Sequence, residues 1–403
     1  MHVEVAFVLL FSVATAVAIA TRRLPIPYTV ALVLAGLLLG ALPIEPRPSL
    51  TRELLFAIVL PGLIFEAAVH LREESLTDTW GSIAALAVPG LVAALGVTAW
   101  ILLKPMRAFT PAFTTLDALV FAAATVATDP IAVVATFRTL KVPPRLAVLV
   151  EGESLLNDGT GVVVFNLVVA AAMGQVSSIH SAVRQFGLVS SGGALVGLIL
   201  AGVVVQVLRR LDDPMIEVTL TVIAAYGSFA IAEQVGVSGV IATVAAGLVC
   251  GRAARAGTHK SATIAALRTF WEYVAFALNS VVFLLIGLDV RLSELLADWK
   301  PILLAFAVIT LVRFAMVSAT TAALRRTRES IPWRWTPVIG WSGLRGALAM
   351  VLALSIPPVI SSRGMIIHMT FGVVVLSIIV RGLTVGPLLR ALGIKGEASE
   401  PAR

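Results

Sequence analysis

Long apolar stretches recur along the whole chain and are separated by short charged or proline-containing joints. A helix needs about 20 predominantly apolar residues to cross the hydrocarbon core of a bilayer. The pattern therefore predicts an all-α polytopic membrane protein with about thirteen transmembrane helices. The predicted spans lie near residues 3–20, 27–43, 52–71, 82–103, 114–137, 145–173, 185–208, 215–235, 238–253, 267–288, 300–323, 336–357 and 364–391.

These spans use nearly the entire chain, which predicts one transmembrane domain over residues 1–392 and a short cytoplasmic tail over 393–403. Helices 1–6 occupy about 3–173, helix 7 links the two halves, and helices 8–13 occupy about 215–391. The first apolar run lacks a basic leading region, so we expect it to be a retained span and not a cleaved signal peptide.

Composition agrees with a lipid environment, because 59% of the 403 residues are hydrophobic and only 13% are charged. The net charge of +7 is spread over many loops without forming a patch, so membrane lipid and not nucleic acid is the expected partner. The single cysteine, Cys250, excludes a disulfide framework and a thiolate metal cluster.

The distribution of Lys and Arg predicts orientation. With the N-terminus outside and the C-terminus in the cytoplasm, these residues are more than twice as frequent in loops that face the cytoplasm. The cytoplasmic set includes Arg22, Arg23, Arg138, Lys141, Arg145, Arg209, Arg210, Arg252, Arg255, Lys260, Arg325, Arg326 and Arg328. We therefore expect a multi-pass protein of the cell (inner or plasma) membrane. Three further arginines, Arg313, Arg345 and Arg381, fall inside predicted spans.

The two halves of the chain have the organisation of an inverted repeat. If helices 1–6 and 8–13 are copies of one unit, an offset of seven helices gives the second copy the opposite polarity. Pro130 interrupts helix 5, and three glycines, Gly340, Gly343 and Gly346, interrupt the corresponding helix 12. Paired interruptions predict that discontinuous helices 5 and 12 cross at a binding site.

Carboxylates inside predicted spans are the main candidates for function, because a charge at the centre of a spanning helix costs about 3 kcal/mol. The candidates cluster in three apolar segments and are Glu66, Asp129, Glu151, Glu153 and Asp158. In Thr128-Asp129-Pro130 the proline leaves the Val126 carbonyl without its helical partner, which predicts free carbonyl oxygens beside a carboxylate. Such oxygens suit a hard cation such as Na+. An ordinary proline kink is the alternative.

Helix 6 carries two polar stripes. Ser154 and Asp158 lie four residues apart on one face, and Glu153 and Asn157 form a second pair with the same spacing. A loop just outside the membrane is the alternative, although apolar sequence flanks the segment on both sides.

Enzymatic chemistry has less support. The five histidines, at positions 2, 70, 180, 259 and 368, are not spaced for a triad around Ser154 or for a metal site. The sequence has no phosphate-binding Gly-Lys-Ser/Thr loop. We therefore expect no enzyme activity and no cofactor, and ion gradients as the driving force.

The segments ATDPIAVVATF and EGESLLNDGTGVVVF resemble the signature of the sodium/proton exchanger family, in the NhaP-like branch of the monovalent cation:proton antiporters. Further segments fit the same family, namely LPGLIFEAA, VSGVIATVAAGLVCGR, FALNSVVFLLIGLDV, WSGLRGALAMVLAL and RGLTVGPLLRALG. The resemblance covers essentially the whole chain and implies antiport of Na+ or Li+ against H+, with a role in pH homeostasis.

The resemblance also implies roles for individual residues. Asp158 is the expected principal carboxylate for cation and proton, and the expected Na+ ligands are Asp158, Asp129, Ser154, Thr128 and Glu66. Asn157 before Asp158 implies electroneutral exchange of one cation for one proton.

Glu153 and Arg345 are the ion pair that the resemblance implies, holding the two interrupted helices together. Family members are homodimers with an elevator-like motion, so a homodimer is expected. Many relatives have Gln where this chain has Arg381, which leaves the local electrostatics open.

Three other functions remain as alternatives. K+/H+ antiport is the nearest, because Na+, Li+ and K+ differ in ligand distance and not in ligand type. A passive cation channel can use the same polar groups, but moves cations without proton counterflow. A sensor with a transporter-like body is disfavoured by the complete set of membrane-buried carboxylates.

Overall fold

A computed structural model describes residues 3–23, 26–41, 51–71, 78–176, 178–211, 213–256 and 261–394. All regular secondary structure in these ranges is helical. In addition, one isolated β-bridge joins Asp129 to Leu344. The all-α prediction is confirmed. Most of the predicted tail, residues 395–403, lies outside the described residues.

The helices follow the predicted spans and take their numbers. They are α1 (Val3–Thr21), α2 (Tyr28–Gly40), α3 (Leu55–His70), α4 (Trp80–Met106), α5a (Thr115–Ala124), α5b (Ile131–Leu140), α6 (Pro144–Ala172), α7 (Ile179–Leu208), α8 (Pro214–Gln234), α9 (Gly239–Arg255), α10 (Ser261–Asp289), α11 (Trp299–Leu324), α12a (Thr336–Ser342), α12b (Ala347–Leu354) and α13 (Arg363–Ala391). A short helix, Leu292–Ala297, links α10 to α11.

Seven helices in the described ranges are long and apolar enough to cross a membrane by themselves: α4, α6, α7, α8, α10, α11 and α13. The protein is therefore a multi-pass membrane protein. Helix α7 begins at Ile179, earlier than the predicted residue 185, because Ser178 caps it by accepting the N–H of Ser181. Hydropathy alone placed the start later because polar residues occupy the first turns.

The helices pack as two bundles, one of α1–α3 with α7–α10 and the other of α4–α6 with α11–α13. Small residues bring helices together within the first bundle. Gly197 of α7 faces backbone atoms of α9, and Gly193 faces those of Ser238 at its N-cap. Gly36 of α2 lies against Gly287 of α10. Close approach through small residues stabilises helix pairs in lipid, where burial of apolar surface drives little association.

The second bundle contains the two interrupted helices, whose unwound segments cross. Residues 125–130 separate α5a from α5b, and residues 343–346 separate α12a from α12b. The N–H of Asp129 donates to the Leu344 carbonyl at 2.9 Å, which makes an antiparallel bridge. The predicted crossing of discontinuous helices 5 and 12 is confirmed, and antiparallel pairing is the arrangement expected of two inverted copies.

Candidate cation site

A cavity of about 440 Å³ lies between the two bundles at the crossing of the interrupted helices. Its lining includes five carboxylates: Glu66 of α3, Asp129 of the α5 break, Glu151 and Asp158 of α6, and Glu272 of α10. Thr128 and Pro130 line it as well. Carboxylate, hydroxyl and carbonyl oxygens are the ligands that hard cations prefer.

Asp129 is held in place by both interrupted helices. Besides the bridge to Leu344, its Oδ1 accepts the N–H of Ile131, the first residue of α5b, at 3.0 Å. At the start of α12b, a Cβ on Gly346 would lie 2.7 Å from the Asp129 Cβ. Only glycine at 346 allows the N-terminus of α12b, with its positive dipole end, to begin this close to the Asp129 carboxylate.

The polar stripes of α6 divide between the cavity and the protein interior. Asp158 lines the cavity and is partly exposed to it, whereas Ser154 and Asn157 are buried behind the cavity. Ser154 Oγ lies 3.0 Å from Thr128 Oγ1, and Asn157 Nδ2 donates to Thr128 Oγ1 at 3.3 Å. The predicted cation ligand Ser154 and the predicted site residue Asn157 thus reach the cavity only through Thr128.

The ion pair of Glu153 differs from the predicted one. Both terminal nitrogens of Arg313 donate to the Glu153 carboxylate, which also accepts Asn157 Nδ2 at 2.9 Å. The predicted pairing of Glu153 with Arg345 is corrected. Arg345 follows Leu344 directly, so its side chain is carried with the bridge toward the backbone carbonyls of the α5 break.

Arg345 donates to two backbone carbonyls of the α5 break. Its Nη1 donates to the Val126 carbonyl and to the Ala127 carbonyl, the latter at 2.8 Å. Its own N–H donates to Ser377 Oγ at 3.1 Å. The Val126 carbonyl, which was predicted to be free, instead accepts a hydrogen bond from Arg345 of the α12 break.

Arg381 donates to a backbone carbonyl of the α12 break. Its Nη1 donates to the Gly343 carbonyl and its Nη2 to Thr310 Oγ1 at 2.6 Å. The guanidinium lies 5.3 Å from the ring centre of Phe306 and 5.5 Å from that of Trp341, within range of cation–π attraction. The sequence carried a signal for these roles, because a buried arginine inside a span requires a partner.

Glu66 faces the cavity from the opposite bundle. Its Oε1 lies 3.2 Å from Nδ1 of His70, one helical turn further along α3. Sequence reasoning missed two further lining residues, Glu272 and Asn279 of α10. Asn279 carried a weak signal as an isolated amide in an apolar segment.

A family model described as "Sodium/hydrogen exchanger, transmembrane" matches residues 8–391. The chain belongs to this family. The prediction from the sequence motifs is confirmed, and the crossed breaks with their carboxylates lie within the part of this exchanger that the family model covers.

Individual relatives agree with the family assignment. The exchanger is 35% identical over 378 residues to the Na(+)/H(+) antiporter ApNhaP of Aphanothece halophytica, covering 93% of this chain and 71% of the relative. It is 35% identical over 412 residues to the Na(+)/H(+) antiporter NhaH of Halobacillus dabanensis, covering 97% and 98%. The NhaP antiporter of Pseudomonas aeruginosa is 32% identical over 347 residues, covering 84% and 81%.

The fold has a counterpart among solved structures. The sodium proton antiporter MjNhaP1 from Methanocaldococcus jannaschii at pH 8 superposes with a TM-score of 0.78 over 98% of this chain and 100% of that chain. The sequences are 22% identical, so this likeness concerns the fold.

Proposed function

We propose that this exchanger is a secondary antiporter that moves Na+ or Li+ against H+ in a ratio of one to one. The observation that carries the proposal is the meeting of Asp158 and Asp129 in one cavity between the two bundles. The relatives named as Na(+)/H(+) antiporters and the family assignment support it.

The proposed cation ligands are the carboxylates of Asp158 and Asp129, the oxygens of Thr128 and, from the other bundle, Glu66. Ser154 acts by orienting the Thr128 hydroxyl. Asn157 and the Glu153–Arg313 pair form the frame behind the site.

The coupling follows from charge. Burial disfavours the ionised form of a carboxylate, so a proton and a cation compete for the same oxygens. An empty, ionised site is costly to move through a low-dielectric barrier, whereas a protonated or cation-loaded site crosses at lower cost. Alternating exposure of the site between the bundles then exchanges the two ions. We further propose a homodimer with the N-terminus outside.

The test uses purified protein in liposomes with an internal pH dye and an imposed pH gradient. Na+, Li+ and K+ are added in turn, with and without a clamp on the membrane potential. We expect proton movement on addition of Na+ or Li+ that is unchanged by the clamp. Dependence on the clamp would refute one-to-one exchange, a response to K+ alone would make the protein a K+/H+ antiporter, and cation flux without proton movement would make it a channel.

A further inference from the structure

A second cavity, of about 720 Å³, adjoins the cation cavity. The two cavities share four lining residues, all of them ionisable: His70, Arg138, Glu151 and Glu272. The second cavity lies where α3, α5b and α9 end and where α6 and α10 begin. By the distribution of Lys and Arg, this is the face predicted to be cytoplasmic.

The lining of the second cavity is rich in cations, with Arg138, Lys141, Arg255 and Arg268. Arg268 is neutralised by Glu272 at 2.8 Å, and Arg255 is anchored by a bond from its Nη1 to the Val69 carbonyl at 2.8 Å. Among the residues that the structure describes, no carboxylate forms an ion pair with Arg138 or Lys141. The lining thus holds four basic residues against two carboxylates, Glu151 and Glu272, which leaves an excess of positive charge.

Lys141 holds an unusual backbone conformation at this cavity. Its φ of 50° makes it the single non-glycine residue with positive φ in the described part of the chain. It ends α5b in the left-handed conformation, where glycine is the usual residue because a side chain is strained there. Glycine would be less strained than lysine at this position, so the backbone conformation does not require a lysine here.

Apolar side chains form the rest of the wall: Phe137, Val142, Ile264, Leu267 and Trp271. An inorganic anion would leave this apolar wall uncovered, whereas the hydrocarbon part of an amphiphile would cover it. Basic pockets between transmembrane helices on the cytoplasmic side bind anionic lipid headgroups. The combination of excess positive charge, an apolar wall and a position at the helix ends thus matches one class of ligand.

We propose that this cavity binds an anionic phospholipid of the cytoplasmic leaflet. The phosphate is held by Arg138, Lys141 and Arg255, and an acyl chain lies along Ile264 and Leu267. The proposal does not depend on which cation is exchanged, because the test below measures binding.

The test is the thermal unfolding of the purified protein in neutral detergent with phosphatidylglycerol, with phosphatidylcholine of the same chain length, or with inorganic phosphate. We expect phosphatidylglycerol alone to raise the midpoint, by about 3 °C or more. Native mass spectrometry of the same samples should detect one retained phosphatidylglycerol per chain.

Lys141→Gly provides a variant that folds, because glycine adopts this conformation without strain. Its midpoint without lipid should equal or exceed that of the wild type, while its response to phosphatidylglycerol falls by at least about half. Adding Arg138→Gln should abolish the response. The control is Arg325→Gln with Arg326→Gln, which removes two exposed cations from the same face outside the cavity and should leave the response intact.

Three outcomes would overturn the proposal. An unchanged response in the Lys141→Gly, Arg138→Gln variant would place the lipid elsewhere. Equal midpoint shifts with phosphatidylglycerol and phosphatidylcholine would show that the charge of the headgroup is not recognised. An equal midpoint shift with inorganic phosphate would show that the ligand is a free anion.

Discussion

Asp158 and Asn157 are neighbours in α6 but have different surroundings. Asn157 is 2% exposed and bonded to Glu153, whereas Asp158 has no such bond and faces the cavity between the bundles. A helix places adjacent residues about 100° apart, so one residue supports the frame while the next meets the ion. Substitutions at the two positions should therefore separate stability from transport.

We predict that Asp158→Asn abolishes Na+/H+ exchange in liposomes and leaves the unfolding midpoint nearly unchanged. The amide has the same shape but takes up neither a proton nor a cation in the manner of a carboxylate. Asp298→Asn is the control, because Asp298 does not line the cavity and its Oδ2 lies 2.7 Å from Nδ1 of His368. This variant should keep exchange. Normal exchange by Asp158→Asn would remove Asp158 from the mechanism.

Ion pairs in two environments should differ in their effect on stability. Arg313→Ala leaves the 1% exposed Glu153 carboxylate without its cation, and we expect a loss of about 3–5 kcal/mol. Arg268→Ala removes an exposed pair with Glu272 and should cost no more than about 0.5 kcal/mol. Denaturation of both variants in the same detergent compares them, and equal losses would contradict a buried structural role for Arg313.

At the scale of elements, the two interrupted helices depend on arginines from other helices. The last carbonyls of a helix lack intrahelical partners, and a break inside the membrane exposes them where water is scarce. Arg345 of the α12 break donates to two carbonyls that follow the end of α5a, and Arg381 of α13 donates to the C-cap carbonyl of α12a. The breaks are thus stabilised by tertiary contacts.

We predict that Arg345→Ala lowers the folded yield and the unfolding midpoint strongly, because the carbonyls of Val126 and Ala127 both lose their donor. Arg381→Gln should have a smaller effect, since one backbone carbonyl, that of Gly343, loses its arginine donor and not two. Size-exclusion yield and thermal unfolding measure both variants. A stable Arg345→Ala variant with altered ion affinity alone would make Arg345 part of the cation site.

Close contact of the two breaks leads to a prediction about glycine. Gly346→Ala places a Cβ 2.7 Å from the Asp129 Cβ, so the crossing must open and both stability and exchange should fall. Gly96→Ala in α4 has nothing within 4 Å and should be neutral or stabilising by up to about 1 kcal/mol. If Gly346→Ala exchanges normally, the close approach of the breaks is not required for transport.

At the scale of the whole molecule, alternating access requires the two bundles to move relative to one another. Helix α6 of one bundle packs against α9 of the other. A Cβ on Gly159 would lie 2.9 Å from Cγ1 of Ile241, so the helices are close at this point. The contact provides a place to test the motion.

We predict that a disulfide between Gly159→Cys and Ile241→Cys, in a Cys250→Ala background, stops exchange, and that reduction restores it. A Cβ at position 159 would reach the side chain at position 241, which is the kind of short approach that a disulfide needs. The Ile241→Cys single variant under oxidant, which leaves Gly159 in place, is the control and should remain active. Exchange that continues after complete cross-linking would show that α6 and α9 do not slide during transport.

Much of the fold was predictable because its causes are local. Spans follow from apolar length, the α5 break follows from Pro130, and the α12 break follows from its glycines. Helix ends were less predictable, as at Ile179, because capping and not hydropathy sets them. The carboxylates Asp129 and Asp158 were identified because a charge inside a span is costly whatever surrounds it.

The sequence by itself therefore determined the lipid environment, the interruptions and the carboxylates that meet in the cavity. Only the tertiary structure decided which arginine pairs with Glu153, since Arg313 lies 160 residues further along the chain. It also decided that Arg345 bonds backbone carbonyls and that Asn157 lies behind the cavity. Partners of this kind depend on how separate helices cross, and spacing along one helix contains no information about that geometry.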